Sequence, residues 1–109
     1  MSEIDLSVYD LGLLLQRHTR YPEHQASSIE MCKAFVAFMD EHGLFATRPY
    51  EGPEPPRDLD IRESHLCPEG KILFRNQTID RWMGRNDDIR KPISMRVLER
   101  ELKKLRGQA

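Results

Sequence analysis

Residues 22–44 read PEHQASSIEMCKAFVAFMDEHGL, and the organisation of the chain follows from them. Ala26, Ile29, Cys32, Phe35, Val36 and Met39 recur at steps of three and four, which places them along one side of an α-helix. Phe38 widens that stripe, while Glu30, Lys33, Asp40 and Glu41 fall mostly outside it. Pro22 suits a first helical position because its missing N–H has no partner to lose there. Tyr21, before the proline, is steered away from helical backbone. At the other end, Gly43 can take the left-handed conformation that stops a helix, with Leu44 folding back onto the last turn. A helix over 22–42 is therefore expected at the centre of the molecule.

Working outward, Val8, Leu11 and Leu15 step by three and four, with Leu14 beside them, and predict a first helix over 5–18. Asp5 or Ser7 is the expected cap, since a short side-chain oxygen can accept the unpaired first-turn N–H groups. Gly12 weakens that helix by about 1 kcal/mol relative to Ala but lets another backbone approach closely. On the C-terminal side, residues 46–66 hold Pro49, Pro53, Pro55 and Pro56, which excludes helix and leaves room for a short strand around Leu59–Ile61. A third helix is expected over 67–84, opened by Pro68, with Ile72, Ile79 and Met83 in line and Leu73, Phe74 and Trp82 flanking. Gly84 and Asn86-Asp87-Asp88 close it. Ser94 then caps a fourth helix over 94–106, with Leu98, Leu102 and Leu105 as its seam. Ile93 and Leu98 stand at the spacing of a hydrophobic staple, and Glu99 and Lys103 at that of a favourable ion pair.

The fold class expected is mainly α: one small bundle of four helices across residues 1–109. A long Pro-rich connector, 46–66, lies between helices two and three. The length of 109 residues suits one domain with a modest core. No apolar run approaches the ~18 residues a membrane span needs. The opening Met-Ser-Glu-Ile-Asp lacks the basic and apolar regions of a leader, so no targeting segment and no membrane partner are expected. Two Cys are too few for a disulfide framework and suit a reducing, cytoplasmic setting.

Net charge is −1, but its distribution is uneven. Residues 1–70 carry six Lys/Arg against thirteen acids, a net of −7, while residues 71–109 carry eleven against five, a net of +6. The two halves either attract each other within one fold or leave a basic face for a partner.

Catalytic and metal chemistry find little footing. His65, Cys67, Cys32 and His42 are donors zinc would accept, but their spacing matches no paired-ligand pattern, and Cys32 lies on the apolar stripe. Cys67 at a helix start near His65 could be an activated thiol, yet the chain has no nucleophile signature, phosphate loop or H-E-x-x-H. Asp58 and Asp60 align on one side of a strand, as scattered surface acids often do. A non-enzymatic protein without cofactor or metal is expected, and no motif names a family.

Two binding functions remain. The first is a small protein-interaction module (an adaptor, inhibitor or immunity-type protein, or one that self-associates) anchored by Tyr50, Arg81, Trp82 and Arg85, since Arg, Trp and Tyr most often anchor interfaces. The alternative is a nucleic-acid-binding domain using Arg90, Lys91, Lys103, Lys104 and Arg106, within a basic cluster that also holds Arg75, Arg96 and Arg100. Two observations stand against the alternative. About ten residues separate the expected helices three and four, where a helix-turn-helix needs 3–4. The isoelectric point near 6.4 is also far from basic. As for the fold, Phe35 on the central stripe is expected to be its anchor. Phe35→Ala should cost about 3–5 kcal/mol, read as a lowered urea midpoint.

Overall fold

The computed structural model describes residues 5–74, 77–86 and 88–107, and Arg75 and Asp87 of the expected basic cluster and helix stop lie outside them. The chain is mainly helical, with a small two-stranded sheet. In order, the elements are β1 (Ser7–Asp10), α1 (Leu11–Arg17), α2 (Pro22–Glu41), β2 (Asp60–Arg62), a 3-10 turn (Glu63–His65), α3 (Pro68–Phe74), α4 (Thr78–Arg85) and α5 (Arg96–Gly107). Residues 46–59 run without a helix or strand. Five helices among the described residues replace the four expected.

The helix expected over 5–18 begins late because its first turns are strand. Tyr9 is an aromatic that suits a pleated surface, and here it turns inward, its hydroxyl donating to the Ser28 carbonyl at 2.8 Å. The backbone of β1 pairs antiparallel with β2, Tyr9 opposite Ile61 and Asp10 opposite Asp60. The strand Leu59–Ile61 is thus displaced by one residue. Asp10, not Asp5 or Ser7, caps α1, its carboxylate accepting the Leu13 N–H at 2.9 Å. Asp5 instead accepts from the Ser64 backbone at 2.9 Å and the Ser64 hydroxyl at 2.8 Å, tying the chain start to the 3-10 turn. Gly12 has the close approach its size permits: a Cβ there would stand 3.3 Å from the Asp58 Cα.

Helix α2 forms as its stripe predicts, from Pro22 to Glu41. Gly43 takes φ +66°, and the Leu44 N–H returns to the Met39 carbonyl at 2.9 Å while the Gly43 N–H reaches Asp40 at 3.2 Å. That pair of bonds is a Schellman stop. Leu44 is fully buried, and its carbonyl accepts the Cys67 N–H at 3.0 Å, seating the start of α3 on the end of α2.

The third helix is two. Its continuity breaks at Gln77, which adopts left-handed backbone at φ 59°. The reason lies at Phe35, whose fully buried ring meets Phe74 edge-on at 5.3 Å and Trp82 at 6.0 Å, with Tyr9 and Phe45 also beside it. The break lets Phe74 and Trp82 both reach that ring, and it leaves Ile72 exposed while Ile79 is buried. Full burial of Trp82 and the edge contact of the partly buried Phe74 offset the roughly 1–2 kcal/mol that a left-handed residue costs. Helix α5 starts where Ser94 Oγ accepts the Arg96 N–H at 3.3 Å, and it buries Leu98 and Leu102, with Leu105 only partly covered. No helix is long and apolar enough to cross a membrane among the described residues.

Gly70 faces α2 so closely that a Cβ would lie 2.7 Å from the Leu44 carbonyl oxygen. Gly70→Ala should therefore destabilise by about 1–3 kcal/mol, despite alanine's better helix propensity, as read from urea unfolding.

Candidate functional site

The face that α4 and α5 present begins from a buried polar clasp. Trp82 is wholly enclosed, and its indole N–H donates to the Ser94 carbonyl at 2.9 Å. Asn86 is one turn further on, at the end of α4. Its amide donates to the Trp82 carbonyl at 2.8 Å and to the Ser94 carbonyl at 3.0 Å, and its oxygen accepts the Ser94 N–H at 2.6 Å. Two of these three bonds reach Ser94, so one asparagine holds the end of α4 to the residues just before α5. The intervening loop is braced by Asp88, whose carboxylate accepts from the Arg90 backbone at 3.0 Å and its guanidinium at 3.1 Å.

With the helices fixed, their outer sides form a groove of about 320 Å³ lined by Arg81, Gly84, Arg85, Val97, Arg100 and Glu101. Gly84 leaves the floor open, with nothing within 4 Å of where a Cβ would stand. Arg81 is held at 3.1 Å by Glu101, and Thr78 Oγ1 accepts from the same guanidinium nitrogen at 3.4 Å. Glu101 is also within 3.8 Å of Lys104. The i,i+4 pair expected on α5, Glu99 with Lys103, is not among the ion pairs of the described residues. Among the described residues, Arg85, Arg96, Arg100 and Lys103 have no ion-pair partner. Arg96, Arg100 and Lys103 share one side of α5, and Arg100 also lines the groove on α4.

The expected site residues fare unequally. Arg81 and Arg85 stand together on this groove. Trp82 does not, since its ring is 0% exposed and no partner can rest on it. Tyr50 is 9% exposed and lies apart, along α2, with the Arg48 guanidinium 5.7 Å above its ring. Burial of both rings corrects the expectation that they anchor a partner; each has enough apolar area that the core claims it first. Of the basic alternatives, Lys103 joins the face and Lys91 is exposed in the loop. Arg90 is folded onto Asp88, and Arg106 is spent on Glu69 at 2.8 Å and the His42 carbonyl at 2.8 Å. Hydrogen bonding from Arg106 holds the Glu69 carboxyl below its ordinary range. Arg96 and Arg100 are the residues that a shortlist drawn from sequence passed over. Their signal was the spacing of Arg96, Arg100 and Lys103, opposite the Leu98–Leu102 seam.

The donors considered for zinc do not converge. Cys32 is buried on α2, where burial pushes its thiol up to about 12, and His65 Nδ1 accepts the Arg62 N–H at 3.0 Å. Among the described residues no three His, Cys, Asp or Glu side chains group to hold a metal. Comparisons with protein-family models, with curated proteins and with solved structures return no match.

Removing the buried Asn86 side chain would take away its three hydrogen bonds to Trp82 and Ser94. Asn86→Ala should cost about 1–3 kcal/mol, with the loss appearing in amide-exchange protection of α4 and α5.

Proposed function

We propose that this chain is a non-enzymatic nucleic-acid-binding domain that engages its ligand through the outer sides of α4 and α5. The observation that carries the reading is the set of cations on the outer sides of these helices: Arg81 and Arg85 are exposed on α4, and α5 adds Arg96, Arg100 and Lys103 beside them. Arg81 is held by Glu101 and Glu99 lies beside Arg96, Arg100 and Lys103, but Arg85, Arg96, Arg100 and Lys103 form no ion pair among the described residues and suit phosphate, which rewards such cations through counterion release. The mild overall pI is compatible with this, since the acids lie mostly in residues 1–70.

A protein-interaction module is the second reading, and one observation favours it. Leu6, Leu13 and Tyr21 are exposed along β1, α1 and the entry to α2, where a partner or a second copy could cover them. Of its expected anchors, Arg81 and Arg85 are exposed on the α4–α5 groove, while Trp82 and Tyr50 are buried.

Fluorescence anisotropy with a labelled 20-bp duplex of mixed sequence tests the proposal. Four unpaired cations predict a slope of log affinity against log salt of about −3 to −4. Arg100→Glu with Lys103→Glu should weaken binding by at least about tenfold, with the fold intact by circular dichroism. No binding to this duplex, to its separate strands or to RNA would overturn the proposal. A pull-down yielding a stoichiometric protein that survives nuclease would move the function to the Leu6–Tyr21 surface.

A further inference from the structure

We propose that the groove between the end of α2 and the last turns of α5 binds a free α-amino acid with an apolar side chain. The site goes beyond the nucleic-acid reading and does not depend on it. The groove has a volume of about 540 Å³, within the range of small-molecule sites, and is lined by His42, Glu99, Leu102, Lys103, Arg106 and Gly107. Its wall is mainly carbon. Leu102 supplies part of it, and the His42 ring is braced against Phe38 at a centroid distance of 4.5 Å. Gly107 adds no side chain, and nothing stands within 4 Å of where its Cβ would be.

The charges beside this wall select the ligand. Glu99 and Lys103 stand four positions apart on α5, the spacing at which a helical glutamate and lysine ordinarily pair. Here neither has an ion-pair partner among the described residues, and both line the groove. Arg106 is committed elsewhere, its Nε donating to Glu69 and its Nη2 to Glu69 and the His42 carbonyl. What remains is one anion and one cation beside an apolar wall. A simple carboxylic acid would meet Lys103 but face Glu99, and an amine would do the reverse. A residue inside a polypeptide carries neither charge on its backbone. A free α-amino acid holds an ammonium and a carboxylate on one carbon, so it can satisfy Glu99 and Lys103 together while its side chain covers Leu102 and the His42 ring. Lys103 also stands on the basic face, so an occupied groove withdraws one phosphate contact from it. That consequence, unlike the site, rests on the nucleic-acid reading.

Isothermal titration calorimetry with L-leucine, L-methionine and L-phenylalanine, in the absence of nucleic acid, tests the site. At least one should bind with a Kd of about 1 mM or tighter. Its deaminated acid and its decarboxylated amine should each bind at least about tenfold more weakly. Glu99→Gln should erase the preference over the acid and keep that over the amine, and Lys103→Gln should do the reverse, with both folds intact by circular dichroism. A non-specific apolar patch would not give that exchange. With the preferred amino acid saturating, the salt slope for the 20-bp duplex should become shallower by about 0.9. No binding by any of the three amino acids, or analogues that bind equally well, would overturn this inference and leave the nucleic-acid reading standing. Absence of binding to every nucleic acid overturns that reading alone. An unchanged slope with the amino acid bound overturns the withdrawal of Lys103 from the basic face.

Discussion

The hydrogen bonds that Asn86 makes to Trp82 and Ser94 are the constraint on which the presented surface depends. A polar group taken out of water must recover its hydrogen bonds inside, and a buried amide that recovers three of them fixes its partners closely. Here the partners are the last turn of α4 and Ser94, two residues before α5. The Trp82 indole joins the same carbonyl, so its ring cannot rotate away without losing that bond. Phe35 then locates the indole from the other side, through ring contact. Apolar packing sets where α4 lies, and the amide sets which way α5 leaves it. The arginines on the outer sides of both helices inherit that placement.

Electrostatics adds little to stability but much to what the surface can offer. The ion pairs of the molecule lie mostly in water, where each is worth less than about 1 kcal/mol. Their effect is to sort the cations. Arg90 and Arg106 are withdrawn onto Asp88 and Glu69, Arg81 is held on Glu101, and Arg85, Arg96, Arg100 and Lys103 stay available. The excess of acid before residue 70 meets the excess of base after it at Glu69 and Arg106. Elsewhere each half mostly pairs within itself, so the asymmetry of the sequence persists as a basic α4–α5 face.

What was legible in the sequence was whatever local chemistry alone decides. The α2 stripe, the Gly43 stop and the room left at Gly12 each follow from a residue and its near neighbours. Two elements were hidden because distant partners decide them. Ser7–Asp10 has helical spacing with Leu11 and Leu15, and only pairing with Asp60–Arg62 makes it strand. Residues 67–84 have continuous apolar spacing, and only the competition of Phe74 and Trp82 for Phe35 breaks them. The same blindness covered two of the four expected anchors. Trp82 and Tyr50 have the chemistry of interface anchors, and composition does not reveal which aromatics a core will take. Arg81 and Arg85 were readable as surface because they alternate with Ile79 and Trp82 at helical spacing.

One feature of α2 bears on how such a molecule can change. The N–H of Leu44 belongs to the motif that stops α2, and its carbonyl takes the Cys67 N–H and stands against Gly70. The end of α2 is therefore a seat for α3, and through α3 for all that follows. Inserting a single residue into α2 would swing that seat by about 100° around the helix axis and advance it by about 1.5 Å. The helix acts as a spacer of counted length. Its exposed side can vary freely in composition, but the number of its residues belongs to the geometry of a surface formed by other parts of the chain.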